Sequence, residues 1–343
     1  MKSEIRLEKS VLSCIYKFSR SRFSLGSEFY ITYNDRDQKI PFHPDGDIYY
    51  WRTYVDLFKT LRKIKNDDSV SYEEFSNIMD AFDKLNDECV ATFKKAPTVI
   101  PRFPSHNKKG LHAAQRGLKP INCYPSMHTA YVTFLYGLMI KYFPERKEEA
   151  DQKLDDLVAT VLVSTKHHSL ADVALGMFFS EKVLEDELGI TIGLEDLLKK
   201  RQEETLEDLL TQKQEGGYDR LPEDYTYETL PPMLYVYSIL PLMLHDIKEV
   251  AYERRGLTQI VENTKKVEDE KDITNESPSD IALSYLLEKD ITNDSLSDIA
   301  LSYLLVIGSL SHPVTLKESN HFVDRKNKKL KRIPGAEVMK GLF

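Results

Sequence analysis

Asn122-Cys123-Tyr124-Pro125-Ser126-Met127-His128-Thr129-Ala130 opens an apolar run that continues through 131–143. Proline and then serine ahead of such a run read as a helix start, with Ser126 as the N-cap and His128 in or beside the first turn. Residues 131–140 are apolar or aromatic on nearly every side, so this helix is expected to be buried on most of its faces. The pattern predicts an all-α bundle built around it. A capped helix start also suits an anion, because backbone N–H groups and the positive end of the helix dipole favour a phosphate there. An imidazole beside them can pass a proton to a leaving group. The plainer alternative is a cap and a hydrogen-bonded structural histidine.

Working outward, 49–64 and 72–93 carry apolar stripes of helical period: Val55, Phe58 and Leu61 in the first, Phe75, Ile78, Met79, Phe82 and Leu85 in the second. The polar stretch 34–46 reads as a loop, and so does 97–120, which is rich in proline and basic residues. Downstream, 145–165 and a stretch from near His168 to near Asp186 are two further helices. After residue 188 the character changes. Leu194-Glu195-Asp196-Leu197-Leu198 recurs as Leu206-Glu207-Asp208-Leu209-Leu210 in an acidic amphipathic helix, and the segment starting at Asp272 returns eighteen residues later at Asp290. The expected organisation is a helical core over 1–190, a helical extension over 191–310 containing the duplication 272–305, and a basic tail over 311–343.

The chain of 343 residues is 41% hydrophobic and 30% charged, with a mean hydropathy of −0.42, which suits a soluble globular protein. It offers no run of ~20 uninterrupted apolar residues to span a bilayer, the run 230–244 being broken by three prolines, and its first residues lack the apolar core of a secretory signal, so the mature chain is read as starting near residue 1. Three widely spaced cysteines, Cys14, Cys89 and Cys123, suggest neither a disulfide framework nor a zinc site and point to the reducing cytoplasm. A formal net charge of −8 argues against nucleic acid as a partner. Positive charge is nonetheless concentrated in 325–332, where six of eight residues are Lys or Arg.

Two further clusters bear on the helix start. Lys109 and Arg116 precede it and suit a phosphoryl group, the arginine as a fork for two oxygens and the lysine as a point charge, or they are simply solvated loop charges. Forty residues after His128 comes Ser164-Thr165-Lys166-His167-His168-Ser169-Leu170-Ala171-Asp172. His168 and Asp172, four apart on a helix, would share a face, with the carboxylate on one imidazole nitrogen and the other directed outward as a nucleophile. Their apolar neighbours Leu170, Ala171, Val173 and Ala174 favour a buried pair over a surface contact.

In this order the clusters resemble the superfamily of type-2 phosphatidic acid phosphatases, class A acid phosphatases and vanadium haloperoxidases, whose pattern is Lys-x6-Arg-Pro, Pro-Ser-Gly-His and Ser-Arg-x5-His-x3-Asp. Lys109 and Arg116 match the first, with Gly117 for the proline. Pro125-Ser126-Met127-His128 matches the second in a form similar to the inositol-phosphorylceramide synthase-like branch. His168 and Asp172 match the end of the third, while Leu162 stands where the family has arginine, and Lys166 is the candidate to take that phosphate contact. The likeness covers roughly 50–190.

The resemblance implies a bundle of the acid phosphatase/haloperoxidase type and a metal-independent phosphatase or phosphotransferase acting on a phosphate ester of lipid or inositol type. By it, His168 forms a phosphohistidine, Asp172 steadies the imidazolium and His128 protonates the leaving oxygen, with Lys109, Arg116, Ser126 and Lys166 on the phosphate. No cofactor is implied; vanadate would be an inhibitor, and a cofactor only in the haloperoxidase alternative. A non-enzymatic alternative is an interaction protein presenting the LxxLL stretches 283–287 and 301–305 to a protein groove. The basic run 325–332 offers a peripheral attachment to an anionic membrane.

Overall fold

The computed structural model describes residues 28–32, 37, 40, 47–95, 97–99, 124–158, 168–214, 232–268, 295–297, 299–300, 314–315, 323–324 and 329–330. Lys109, Arg116, Lys166, both LxxLL stretches and the first copy of the duplication lie outside them. So does the basic run apart from residues 329 and 330.

The architecture is all-α, and the strands beside it are two to four residues long. Among the described residues seven long helices follow one another: α1 Asp47–Lys65, α2 Tyr72–Lys95, α3 Met127–Tyr142, α4 Lys147–Val158, α5 Leu170–Leu188, α6 Leu194–Gln214 and α7 Pro232–Glu268. Strand β1 (Glu28–Ile31) lies between β2 (Thr98–Val99), parallel to it, and β3 (Val314–Thr315), antiparallel; β4 (Val323–Asp324) pairs with β5 (Lys329–Leu330).

As expected, α3 is the centre. All of its residues from Met127 to Met139 are buried, with α5, α4 and α1 packed around it. A helix this apolar is stable only where other helices replace water on every side. It ends at Tyr142 and gives way to a 3-10 turn, Pro144–Arg146, as proline cannot continue the helical hydrogen bonding.

The packing of α3 on α5 is close and parallel. Ser126 and Ala130 meet Gly176, the Ala130 carbonyl accepts the Ser180 hydroxyl, and Gly137 meets Leu184, so both helices advance in the same direction. A parallel pair needs a long return path, which runs through α4. Its consequence is that the amino ends of α3 and α5 lie at the same end of the bundle.

Two expectations need adjusting. In α2 the predicted stripe is buried throughout, but in α1 Val55 is 49% exposed and the inward face is Thr53, Leu57, Thr60, Leu61 and Ile64. The α1 stripe was ambiguous because two of its inward positions are threonines. Of the run 230–244, read from sequence as broken by three prolines, the residues from Pro232 on belong to the 37-residue α7, with Pro241 inside it. Packing explains the tolerance: Tyr235, Val236, Ile239, Leu240, Met243 and Leu244 are all buried. Tyr237 donates a hydrogen bond to Asp155 of α4, and Arg201 of α6 lies 3.2 Å from Asp151 and 3.5 Å from Asp155, tying α4, α6 and α7 together. Burial pushes the Asp155 carboxyl above its ordinary value, against the opposing effects of Tyr237 and Arg201.

The second copy of the duplication also reaches this core. Leu296, Ile299 and Ala300 join the same apolar cluster as α1 to α7, and the Ala300 carbonyl accepts the Tyr124 hydroxyl at 2.8 Å. Among the described residues no helix is long and apolar enough to cross a membrane.

Candidate active site

The turn before α3 is held from both sides. The Tyr124 N–H donates to Thr98 Oγ1 in β2 at 3.1 Å and its hydroxyl reaches Ala300, so its ring is completely buried. The Tyr124–Pro125 peptide is cis. Ser126 then caps α3 as the sequence predicts: its Oγ accepts the Thr129 N–H at 3.2 Å and bonds the Thr129 hydroxyl at 2.9 Å. This places His128 in the first turn, 7% exposed.

His168 differs from its expected setting. Helix α5 begins at Leu170 with Ser169 as N-cap, so His168 precedes the helix and does not share a helical face with Asp172. The two still meet, because Asp172 is the third residue of a capping box. The Ser169 hydroxyl accepts the Asp172 N–H at 3.1 Å, and Asp172 Oδ2 accepts the Ser169 N–H at 2.8 Å. That reach toward the chain entry leaves the same oxygen 3.5 Å from His168 Nδ1, an ion-pair distance. His168 is 6% exposed and Asp172 fully buried. The other carboxylate oxygen, Oδ1, is buried without a hydrogen-bond partner among the described residues.

The parallel packing of α3 and α5 brings these pieces together. The His128 and His168 rings lie 6.1 Å apart, centre to centre, at 52°. A direct bond joins the two helix starts: the Ser126 N–H donates to the Asp172 carbonyl at 2.8 Å. Of the residues picked out from sequence, Ser126, His128, His168 and Asp172 are thus one cluster.

Three contributors have no place in the sequence reading. Tyr54 of α1 sets its ring edge-on to His128, with centroids 5.0 Å apart at 82°, and also touches Tyr131, whose hydroxyl is bonded to Asn86 of α2. Gly176 lies against the cap, and a Cβ there would come within 2.5 Å of the Ser126 carbonyl oxygen. Asp37, 2% exposed, accepts the Leu170 N–H at 2.6 Å. A lone glycine in an apolar helix, and Ser169 followed three residues on by Asp172, were available signals. Tyr54 and Asp37 carry none, since only tertiary contact brings them here.

Chemically, two buried imidazoles face each other, one backed by a carboxylate, where two helix dipoles present their positive ends. Such a place suits a small anion and proton transfer. Among the described residues no three His, Cys, Asp or Glu side chains group as metal ligands would. Comparison of the chain with known protein families, with curated proteins and with solved structures finds no match. The likeness to the phosphatase superfamily therefore rests on its short motifs.

Proposed function

We propose that the protein is a phosphatase or phosphotransferase that works through a phosphohistidine, on a helical bundle of the acid phosphatase/haloperoxidase type with a helical extension. The observation that carries this reading is the facing pair of His128 and His168, with Asp172 behind the second at 3.5 Å. In the proposed reaction His168 Nε2 attacks phosphorus as the bond to the ester oxygen breaks. His128, entering as the imidazolium, gives that oxygen its proton. Water or an acceptor hydroxyl then attacks the phosphohistidine, its proton returns to His128, and the N–P bond breaks. Asp172 stabilises the charged His168 ring, and the cap of α3 with Lys109, Arg116 and Lys166 would hold the phosphoryl oxygens.

A second reading is favoured by the capping box: Ser169 and Asp172 complete a helix start whether or not any chemistry follows. Turnover of p-nitrophenyl phosphate separates the two. The enzyme reading expects turnover that orthovanadate inhibits, an acid-labile, alkali-stable phosphoenzyme, and loss of both turnover and phosphoenzyme in His168→Ala. Equal activity of folded His168→Ala and the parent chain would overturn it. For a lipid-type substrate, the basic run 325–332 would supply attachment at ~1 kcal/mol per basic residue. Salt-sensitive co-sedimentation with phosphatidylserine vesicles, lost in a chain ending at Asn320, is the expected sign, and equal sedimentation of the two chains would remove it.

A further inference from the structure

We propose that Asp37 is a positioning residue for His168, an inference that rests on reading His168 as the nucleophile. Asp37 is 2% exposed, and its carboxylate accepts the Leu170 N–H at 2.6 Å from 133 positions upstream. Burying a carboxylate is costly unless strong donors compensate it, and the first N–H of a helix, at the positive end of its dipole, is such a donor.

The bond acts on the segment that matters. The Ser169 N–H is held by Asp172 Oδ2 and the Leu170 N–H by Asp37 Oδ1, so the two peptide planes that follow His168 are each fixed by a different buried carboxylate. With both held, the backbone on the carboxyl side of His168 is restrained, and this restraint sets the point from which its ring reaches toward His128 and Asp172. Asp37 is itself anchored: its carbonyl accepts the Ile40 N–H at 3.4 Å, and the Ile40 side chain is buried in the core cluster. Asp37, near the start of the chain, thereby restrains the backbone beside a residue in its middle. This brings a stretch outside the family-like region, and read from sequence as a plain loop, into the machinery of the site.

The test compares Asp37→Asn and Asp37→Ala in the full chain. Three readouts are taken: thermal unfolding, the imidazole NMR signals of His168 assigned by their absence in His168→Gln, and steady-state kinetics on p-nitrophenyl phosphate. Asparagine keeps an oxygen that accepts the Leu170 N–H, so Asp37→Asn is expected to preserve the His168 signals and to keep kcat within about threefold. Folded Asp37→Ala is expected to shift the His168 signals and to lower kcat by about 100-fold with little change in KM, the cost of a misplacement of about 1 Å.

Unchanged His168 signals in folded Asp37→Ala would overturn the proposal, and so would a loss in Asp37→Asn as large as in Asp37→Ala. Should Asp37→Ala not fold, Leu170→Pro removes the same bond from the donor side. Proline is accepted at the first position of a helix, and Ser169, at φ −84° and ψ 166°, already has the backbone a residue before proline takes. The same displacement of the His168 signals is then expected, and its absence would overturn the proposal. If the parent chain forms no phosphoenzyme, the proposed reaction fails, while the His168 signals still decide whether Asp37 orients the ring.

Discussion

The amino ends of α3 and α5 lie side by side, yet their donors are treated in opposite ways. At α5, two carboxylates of the chain itself, Asp172 and Asp37, take the N–H groups of Ser169 and Leu170. At α3 the first turn contains no acidic residue, and the cap is a neutral serine bonded to Thr129. The same physical device, a helix start, therefore serves as an anchor in one place and keeps its positive character in the other. The lesson is a division of labour: the closed start fixes the residue proposed to attack, and the start without acids is where an incoming anion is favoured.

The largest expected effect bears on the side without acids. His128→Ala should lower turnover of alkyl phosphates by about 10²–10⁴ and leave p-nitrophenyl phosphate much less affected, because a good leaving group needs no proton. Equal losses on the two substrates would remove His128 from the acid role and leave α3 as an anion cradle only.

Next comes the contact that joins the two starts. Gly176→Ala would place a Cβ within 2.5 Å of the Ser126 carbonyl oxygen, which is backbone and cannot swing aside. A destabilisation of about 1–3 kcal/mol is expected, read as a lower melting temperature by calorimetry, together with a loss of turnover in the molecules that remain folded. Unaltered melting would mean that the helices can separate without cost and that their pairing is looser than described.

The smallest effects compare the caps directly. Ser169→Ala removes one half of a reciprocal box and should cost about 1–2 kcal/mol, whereas Ser126→Ala, removing a one-sided cap, should cost about 0.5–1 kcal/mol. Urea midpoints of the two variants measure the difference. A reversed order would contradict the picture of α5 as the more firmly anchored start.

How far the sequence disclosed this arrangement depended on the range of the signal. Helix α3 was readable because Pro125, Ser126 and the apolar run after them act over a few residues. The meeting of His168 with Asp172 was also foreseen, but for a different reason: helical spacing suggested a shared face, and the contact instead comes from a cap that bends the carboxylate back. Both geometries bring residues four apart together, so spacing alone could not separate them. The inward face of α1 was misjudged because Thr53 and Thr60 are buried while Val55 is not, an outcome decided by neighbouring helices. Asp37 and Tyr54 lay beyond local reading, since each acts through a partner far along the chain. The run 230–244 reads as broken by three prolines, yet α7 continues through Pro241 because its buried side chains hold it in place.

The bond from the Ser126 N–H to the Asp172 carbonyl has a consequence for experiment. Asp172 serves the site twice, with its carboxylate toward His168 and with its main chain toward Ser126, and every side-chain replacement leaves the second service intact. Alanine scanning would therefore credit this residue with only part of what it does. Semisynthesis that exchanges the amide of Ser126 for an ester would delete the donor while sparing every side chain, and would expose the backbone's share of the proposed catalysis.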